Sequence, residues 1–112
     1  MNKKNKSLRS SFIDAVKNYK EKNFKNAEII CFKILSIDSN YIDALTLLGT
    51  ISAINKNFEK AKEYMETAFG IDPKNTGVLN NLGTANKELG KIDEAINIYK
   101  KVLSIDPNHV NA

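Results

Sequence analysis

Few residues in this chain could carry covalent chemistry, and they do not converge. Cys31 is the only cysteine and His109 the only histidine. A catalytic thiol needs a base within hydrogen-bond reach, and a zinc site needs several convergent ligands. Neither requirement is met. Cys31 cannot form an intrachain disulfide, and it falls in an apolar stripe, where a buried small hydrophobe is a better reading than a reactive thiol. His109 follows Asp106-Pro107-Asn108, a linker position. The acidic residues, such as Glu59 and Glu63 or Asp93 and Glu94, mostly stand opposite lysines on helical faces, where solvated charge is the default. The expectation is therefore a chain that is no enzyme, with no metal and no cofactor. Asn5-Lys6-Ser7 spells a glycosylation acceptor, a chance match in an Asn-rich chain without a secretion pattern.

If the residues do not converge on a reaction, the elements that position them must serve something else. Leu48-Gly49-Thr50 recurs as Leu82-Gly83-Thr84, and Ile71-Asp72-Pro73 as Ile105-Asp106-Pro107, each 34 residues later. The period reaches back to Asn23-Phe24, Ala27 and Ile37-Asp38, so three repeats fill the chain. A fixed period means a stacked solenoid with a binding surface rather than a closed catalytic core. Leu45, Leu48, Gly49 and Ser52 are spaced i, i+3, i+4, i+7, as are Leu79, Leu82, Gly83 and Asn86, which is one stripe of a helix. Ala61, Met65, Ala68 and Phe69, and then Ala95, Tyr99, Val102 and Leu103, make the stripe of a second helix. Glycine inside a helix costs about 1 kcal/mol against Ala, so Gly49 and Gly83 predict the close approach of another helix backbone.

Turn chemistry sets the boundaries. Lys22-Asn23, Lys56-Asn57 and Gly90-Lys91 interrupt the periods with a residue that can turn left-handed, and Asp72-Pro73 and Asp106-Pro107 stop the second helix of each later repeat. The reading is six helices near residues 8–21, 25–37, 41–54, 58–71, 76–88 and 92–105, with no strand. At 112 residues and 42% hydrophobic, the chain makes one small domain and lacks the roughly 18 uninterrupted apolar residues of a membrane span.

Lys3, Lys4, Lys6 and Arg9 account for the formal charge of +4, because the remaining basic and acidic residues balance at 13 each. Residues 1–7 therefore read as a basic flexible segment, and the balanced remainder argues against a nucleic-acid partner. No apolar run follows those lysines as a secretion signal requires. Cytoplasm is the expected location.

The pattern resembles the tetratricopeptide repeat, whose helix-turn-helix unit carries a Leu-Gly pair in its first helix, a small residue early in its second, and an Asp-Pro turn. Leu48-Gly49, Ala61, Ala68 and Pro73 fit one unit, and Leu82-Gly83, Ala95, Tyr99 and Pro107 the next. The first unit departs from it, with Asp14-Ala15 in place of Leu-Gly and Ser39 in place of Pro. The resemblance implies an all-α, right-handed solenoid of three units at 8–41, 42–75 and 76–109, with 110–112 opening a further repeat or forming a truncated end. It also implies a concave face lined by the first helices. The matching positions are Phe12, Val16 and Tyr19, then Thr46, Thr50 and Ala53, then Asn80, Thr84 and Lys87, with Asn81 beside them.

That ladder runs from apolar to polar, which fits an extended peptide or short helix anchored near Phe12 and Tyr19 and oriented by hydrogen bonds from Thr50, Asn80 and Thr84. The alternative is that Phe12 and Tyr19 only close the end of the core. The carboxylate clamp with which members of the family grip chaperone tails would fall on Phe12, Val16, Leu47, Gly77 and Asn81. These positions offer no cation, which argues against that ligand. Two rivals stand beside a protein-interaction module. One is the N-terminal array of a larger glycosyltransferase-type enzyme, presenting substrate protein to a downstream catalytic domain. The other is a self-associating scaffold, using Ile29 and Phe32 on the convex side or an uncapped C-terminal end at Ile98, Val102 and Leu103. Val110 and Ala112 match Thr76 and Val78 in register, so the natural protein is expected to continue.

Overall fold

The structure, a computed structural model, describes residues 3–108, with side chains from Ser7 onward. His109, Val110 and Ala112 lie outside the described residues. Six helices follow in order: α1 (Lys3–Lys20), α2 (Phe24–Ile37), α3 (Ile42–Ile54), α4 (Phe58–Ile71), α5 (Thr76–Glu88) and α6 (Ile92–Ile105). No strand occurs among the described residues. Five of the six helices begin and end within a residue or so of the sequence reading.

The exception is α1, which starts at Lys3 rather than near residue 8. The basic stretch assigned to a flexible segment is, from Lys3 on, the opening of that helix. Its physical basis is the absence of any Gly or Pro there, together with the good helix propensity of lysine. Leu8, 2% exposed, anchors that turn in the core.

Each repeat closes by the same turn. The amide of Asn23 donates to the Asn18 carbonyl at 2.8 Å, Asn57 to Ser52 at 2.8 Å, and Lys91 to Asn86 at 2.8 Å. The residue before each donor is left-handed: Lys22 at φ 65°, Lys56 at φ 62° and Gly90 at φ 82°. This 6→1 bond with a left-handed residue satisfies carbonyls that the end of a helix would otherwise orphan.

The second helices stop by a different device. Asp38, Asp72 and Asp106 each accept, through Oδ1, the amide two residues on, at 3.0, 3.4 and 3.2 Å. Because α2 ends at Ile37 with Ser39 where later units have Pro, the aspartate turn suffices and Pro only reinforces it.

Packing within each unit sets a large side chain of the second helix over a small residue of the first. A Cβ added to Gly83 would lie 2.7 Å from the Tyr99 ring, and one added to Gly49 would collide with the Met65 methyl. These glycines admit a side chain, not the helix backbone that the sequence led us to expect. The first unit solves the same fit with Ala15 and the smaller Cys31, both fully buried in one cluster with Ile34, Leu48 and Ile51. A second cluster joins Leu45, Met65, Ala68, Val78 and Leu82 across α3, α4 and α5. The first helices approach one another directly, α1 against α3 and α3 against α5, while the backbones of the second helices stay apart. The array therefore curves with its first helices inside.

Three substitutions test this account. Lys56→Gly should stabilise the chain by about 1 kcal/mol, since an L side chain strains a left-handed position. Gly83→Ala should destabilise by about 1–3 kcal/mol and more than Gly49→Ala, because the Tyr99 ring is rigid while the Met65 thioether can turn aside. Urea unfolding of the three variants measures both.

Candidate functional site

The inner surface of the curve holds a cavity of about 280 Å³. Its walls come from Tyr19 on α1, from Gly49, Thr50, Ala53 and Ile54 on α3, from Phe58, Ala61 and Met65 on α4, and from Asn81, Thr84 and Ala85 on α5. Of the positions read from sequence, the structure thus brings Tyr19, Thr50, Ala53, Asn81 and Thr84 together. Thr46, Asn80 and Lys87 do not line it. The floor was missed: Ala61 and Met65 were read as core stripe, and Ala85 was not singled out.

Phe12 and Val16 belong elsewhere. With Ile13, Lys17, Lys20 and Glu21 they line a shallow cavity of about 530 Å³ along α1. The Phe12 ring lies 5.9 Å from Tyr41 and the Tyr19 ring 5.7 Å from Phe24. Each of these aromatics packs on the first core cluster, and each also lines a cavity. A third cavity, of about 460 Å³, is lined by Tyr19, Lys20, Lys22, Phe24 and Ile54. It shares Lys20 with the α1 cavity and Tyr19 and Ile54 with the central one, so the three cavities adjoin at those side chains.

The threonine hydroxyls are committed to their own helices. Thr46 donates to the Ile42 carbonyl at 2.9 Å and Thr50 to the Thr46 carbonyl at 2.9 Å. Thr84 Oγ1 lies 3.0 Å from the Asn80 carbonyl and 3.1 Å from the Tyr99 hydroxyl. A helical threonine bonds back to i−4 whenever nothing better competes. Thr50 and Thr84 therefore offer the cavity their methyl groups and remaining lone pairs, rather than the free donors read from sequence. Asn81 is exposed, and its amide is the polar side chain set at the rim.

Of the candidate self-association residues, Ile29 and Phe32 on α2 are 44% and 49% exposed. The C-terminal set needs correction. Val102 is fully buried, Ile98 is half-buried against the second core cluster, and only Leu103 is exposed, at 42%. The open stripe of α6 is Ile92, Ile96 and Leu103. Register could have found it, because Ile92 and Leu103 match Phe58 and Phe69, which the next unit half covers, and Ile96 stands where Lys62 bridges to Glu94 at 3.7 Å.

Cys31 is fully buried and unpaired, in line with its reading as a small hydrophobe. Burial, helped by the nearby Glu28 carboxylate, pushes its thiol up to about 11. Among the described residues no group of three or more His, Cys, Asp or Glu could hold a metal, and no helix is long and apolar enough to cross a membrane.

Three stacked helical hairpins with an apolar trough inside their curve define the class as a helical-repeat solenoid. The sequence pattern of the tetratricopeptide repeat matches residues 52–112, and the chain belongs to that family. Among curated relatives, the tomato (Solanum lycopersicum) probable UDP-N-acetylglucosamine–peptide N-acetylglucosaminyltransferase SPINDLY is 30% identical over 89 residues, covering 80% of this chain but 10% of that protein. The chain thus spans about a tenth of the length of that relative. Two solved structures share the fold. The first repeat domain of Spaghetti (RPAP3), bound to the HSP90 peptide SRMEEVD, has TM-score 0.87 at 21% identity, covering 92% of this chain and 82% of that one. A Thermobaculum terrenum O-GlcNAc transferase mutant has TM-score 0.88 at 20% identity, covering 97% of this chain and 21% of that one.

Titration of Cys31 should be visible in stability. A thiol held protonated by the fold contributes stability that is fully present below its ordinary pKa of 9.0 and is lost as pH rises toward about 11. Each unit of that shift corresponds to about 1.4 kcal/mol. Chemical denaturation across this range should show a smaller alkaline loss in Cys31→Ala than in the parent, and the native thiol should resist alkylation until the chain unfolds.

Proposed function

We propose that this chain is a non-catalytic protein-interaction module that holds an extended peptide or short helix along its concave trough. The central cavity carries the reading. Four helices contribute to it, its floor is apolar, and at about 280 Å³ it sits at the lower edge of the roughly 300–1,000 Å³ of small-molecule sites, room for one large apolar side chain. In this reading an anchor of that kind enters between Tyr19, Met65 and Ala85, and the Asn81 amide bonds the ligand backbone at the rim. Chaperone-tail binding is not proposed, since Leu47 is buried and Phe12 and Val16 cannot pair with a carboxylate.

A second reading rests on the glycosyltransferase relatives: the chain is one segment of an array that presents a substrate protein to a downstream catalytic domain. The same trough would serve there. Self-association through Ile92, Ile96 and Leu103 is the remaining proposal, and sedimentation of Ile96→Glu against the parent tests it.

Peptides selected on the parent chain from a random display library test the groove. Asn81 is exposed at the cavity rim, so Asn81→Trp can fill the cavity without disturbing the core. Selected peptides should share a large aliphatic or aromatic residue and lose about tenfold or more in affinity for Asn81→Trp, a difference of about 1.4 kcal/mol. Peptides that bind both forms alike would overturn the reading.

A further inference from the structure

The charge of this molecule is concentrated on one helix. α1 carries six cations, Lys3, Lys4, Lys6, Arg9, Lys17 and Lys20, against the single carboxylate of Asp14, leaving eleven cations against twelve carboxylates in the rest of the chain. Balanced charge elsewhere makes α1 the strongest electrostatic feature of the surface. Arg9, Lys17 and Lys20 are all exposed, and among the described residues the ion pairs are Lys60 with Glu63 and Lys62 with Glu94, neither of which involves α1.

Those charges flank apolar surface. Between them lies the cavity of about 530 Å³ floored by Phe12, Ile13 and Val16, and Ile13 is 64% exposed, the highest value among the large exposed hydrophobic residues. In the second and third units the positions of Lys17 are taken by Ile51 and Ala85, both buried. The cation there is thus peculiar to the first unit. Lys20 also lines the neighbouring cavity to which Lys22 contributes, and that one shares Tyr19 and Ile54 with the central cavity. Glu21 is the only acidic group lining any of the three.

We propose that the ligand of the trough is a protein segment with a cluster of carboxylates beside its apolar anchor, lying with its acidic stretch over the C-terminal half of α1 between Lys17 and Lys20. This rests on the groove reading above and adds the chemistry and direction of the ligand. The apolar floor selects a peptide among acidic partners. A phosphodiester chain would leave Phe12, Ile13 and Val16 uncovered, and a flat anionic bilayer has no side chain to place in the central cavity, which four helices line. Lys17 and Lys20 lie one and four residues after the clamp position Val16, so the cations are offset from the clamp positions themselves and are set to meet side-chain carboxylates along a segment. Lys17 and Lys20 also oppose the negative end of the α1 dipole, a role that requires no apolar floor beside them.

The probes are a fluorescent synthetic peptide with a leucine pair followed by a run of glutamates, and its twin with glutamine in place of each glutamate. Anisotropy is read on the parent chain, on Lys17→Gln/Lys20→Gln and on Asn81→Trp, with melting curves to show that each variant folds. The acidic peptide should bind about tenfold or more tightly than its twin, with an advantage that fades as salt rises and disappears in Lys17→Gln/Lys20→Gln. Twins that bind equally, and that both weaken in Asn81→Trp, overturn the acidic partner and leave the groove reading standing. An acidic preference that survives Asn81→Trp but not the lysine changes supports the α1 surface and removes the central groove from the reading. Failure of both peptides to bind, or binding of single-stranded DNA or phosphatidylserine vesicles as tight as the acidic peptide and equally dependent on Lys17 and Lys20, overturns the proposal.

Discussion

The fit of one large side chain into one missing side chain holds each unit of this array together. Met65 over Gly49 and Tyr99 over Gly83 let the two helices of a hairpin close, and Cys31 with Ala15 is the reduced version of the same fit. An interior packed at crystal density has no room for both partners to be large. Everything downstream depends on that closure. It sets the angle of the hairpin, the angle sets how the next unit stacks, and stacking brings the first helices to the inside of the curve.

The same contact borders the central cavity. In the second unit Gly49 and the Met65 thioether seated over it both line the central cavity. Tyr99 takes the matching position in the third unit and bonds Thr84 through its hydroxyl. Core and groove are thus two sides of one packing decision. This is why residues that look purely structural, Ala61, Met65 and Ala85, shape what the trough can accept.

Electrostatics divides the labour differently. The core is almost free of charge, with Ser52 and Asn86 its only buried polar residues among those described, so it contributes closure without partner discrimination. Charge is left to the surface, and on α1 Lys17 and Lys20 stand beside apolar surface. Within a Debye length of about 10 Å at moderate salt, such a surface acts on a partner before contact is made.

Much of this was legible in the sequence because it is local. A period of 34, left-handed turns at Lys22, Lys56 and Gly90, and helical stripes of small and large residues each arise within a few residues of chain, so six helices and their order could be read directly. The aspartate turn was legible too, although Pro received the credit until Ser39 showed it dispensable. Tertiary structure alone decided which stripes were covered. Val102 is buried and Ile98 half-buried because α6 packs on α5, a contact between helices that only the folded chain brings together. It also decided that Tyr19 shares a cavity with Met65 and Ala85 while Phe12 does not, because a cavity is defined by residues far apart in sequence whose distances only packing sets.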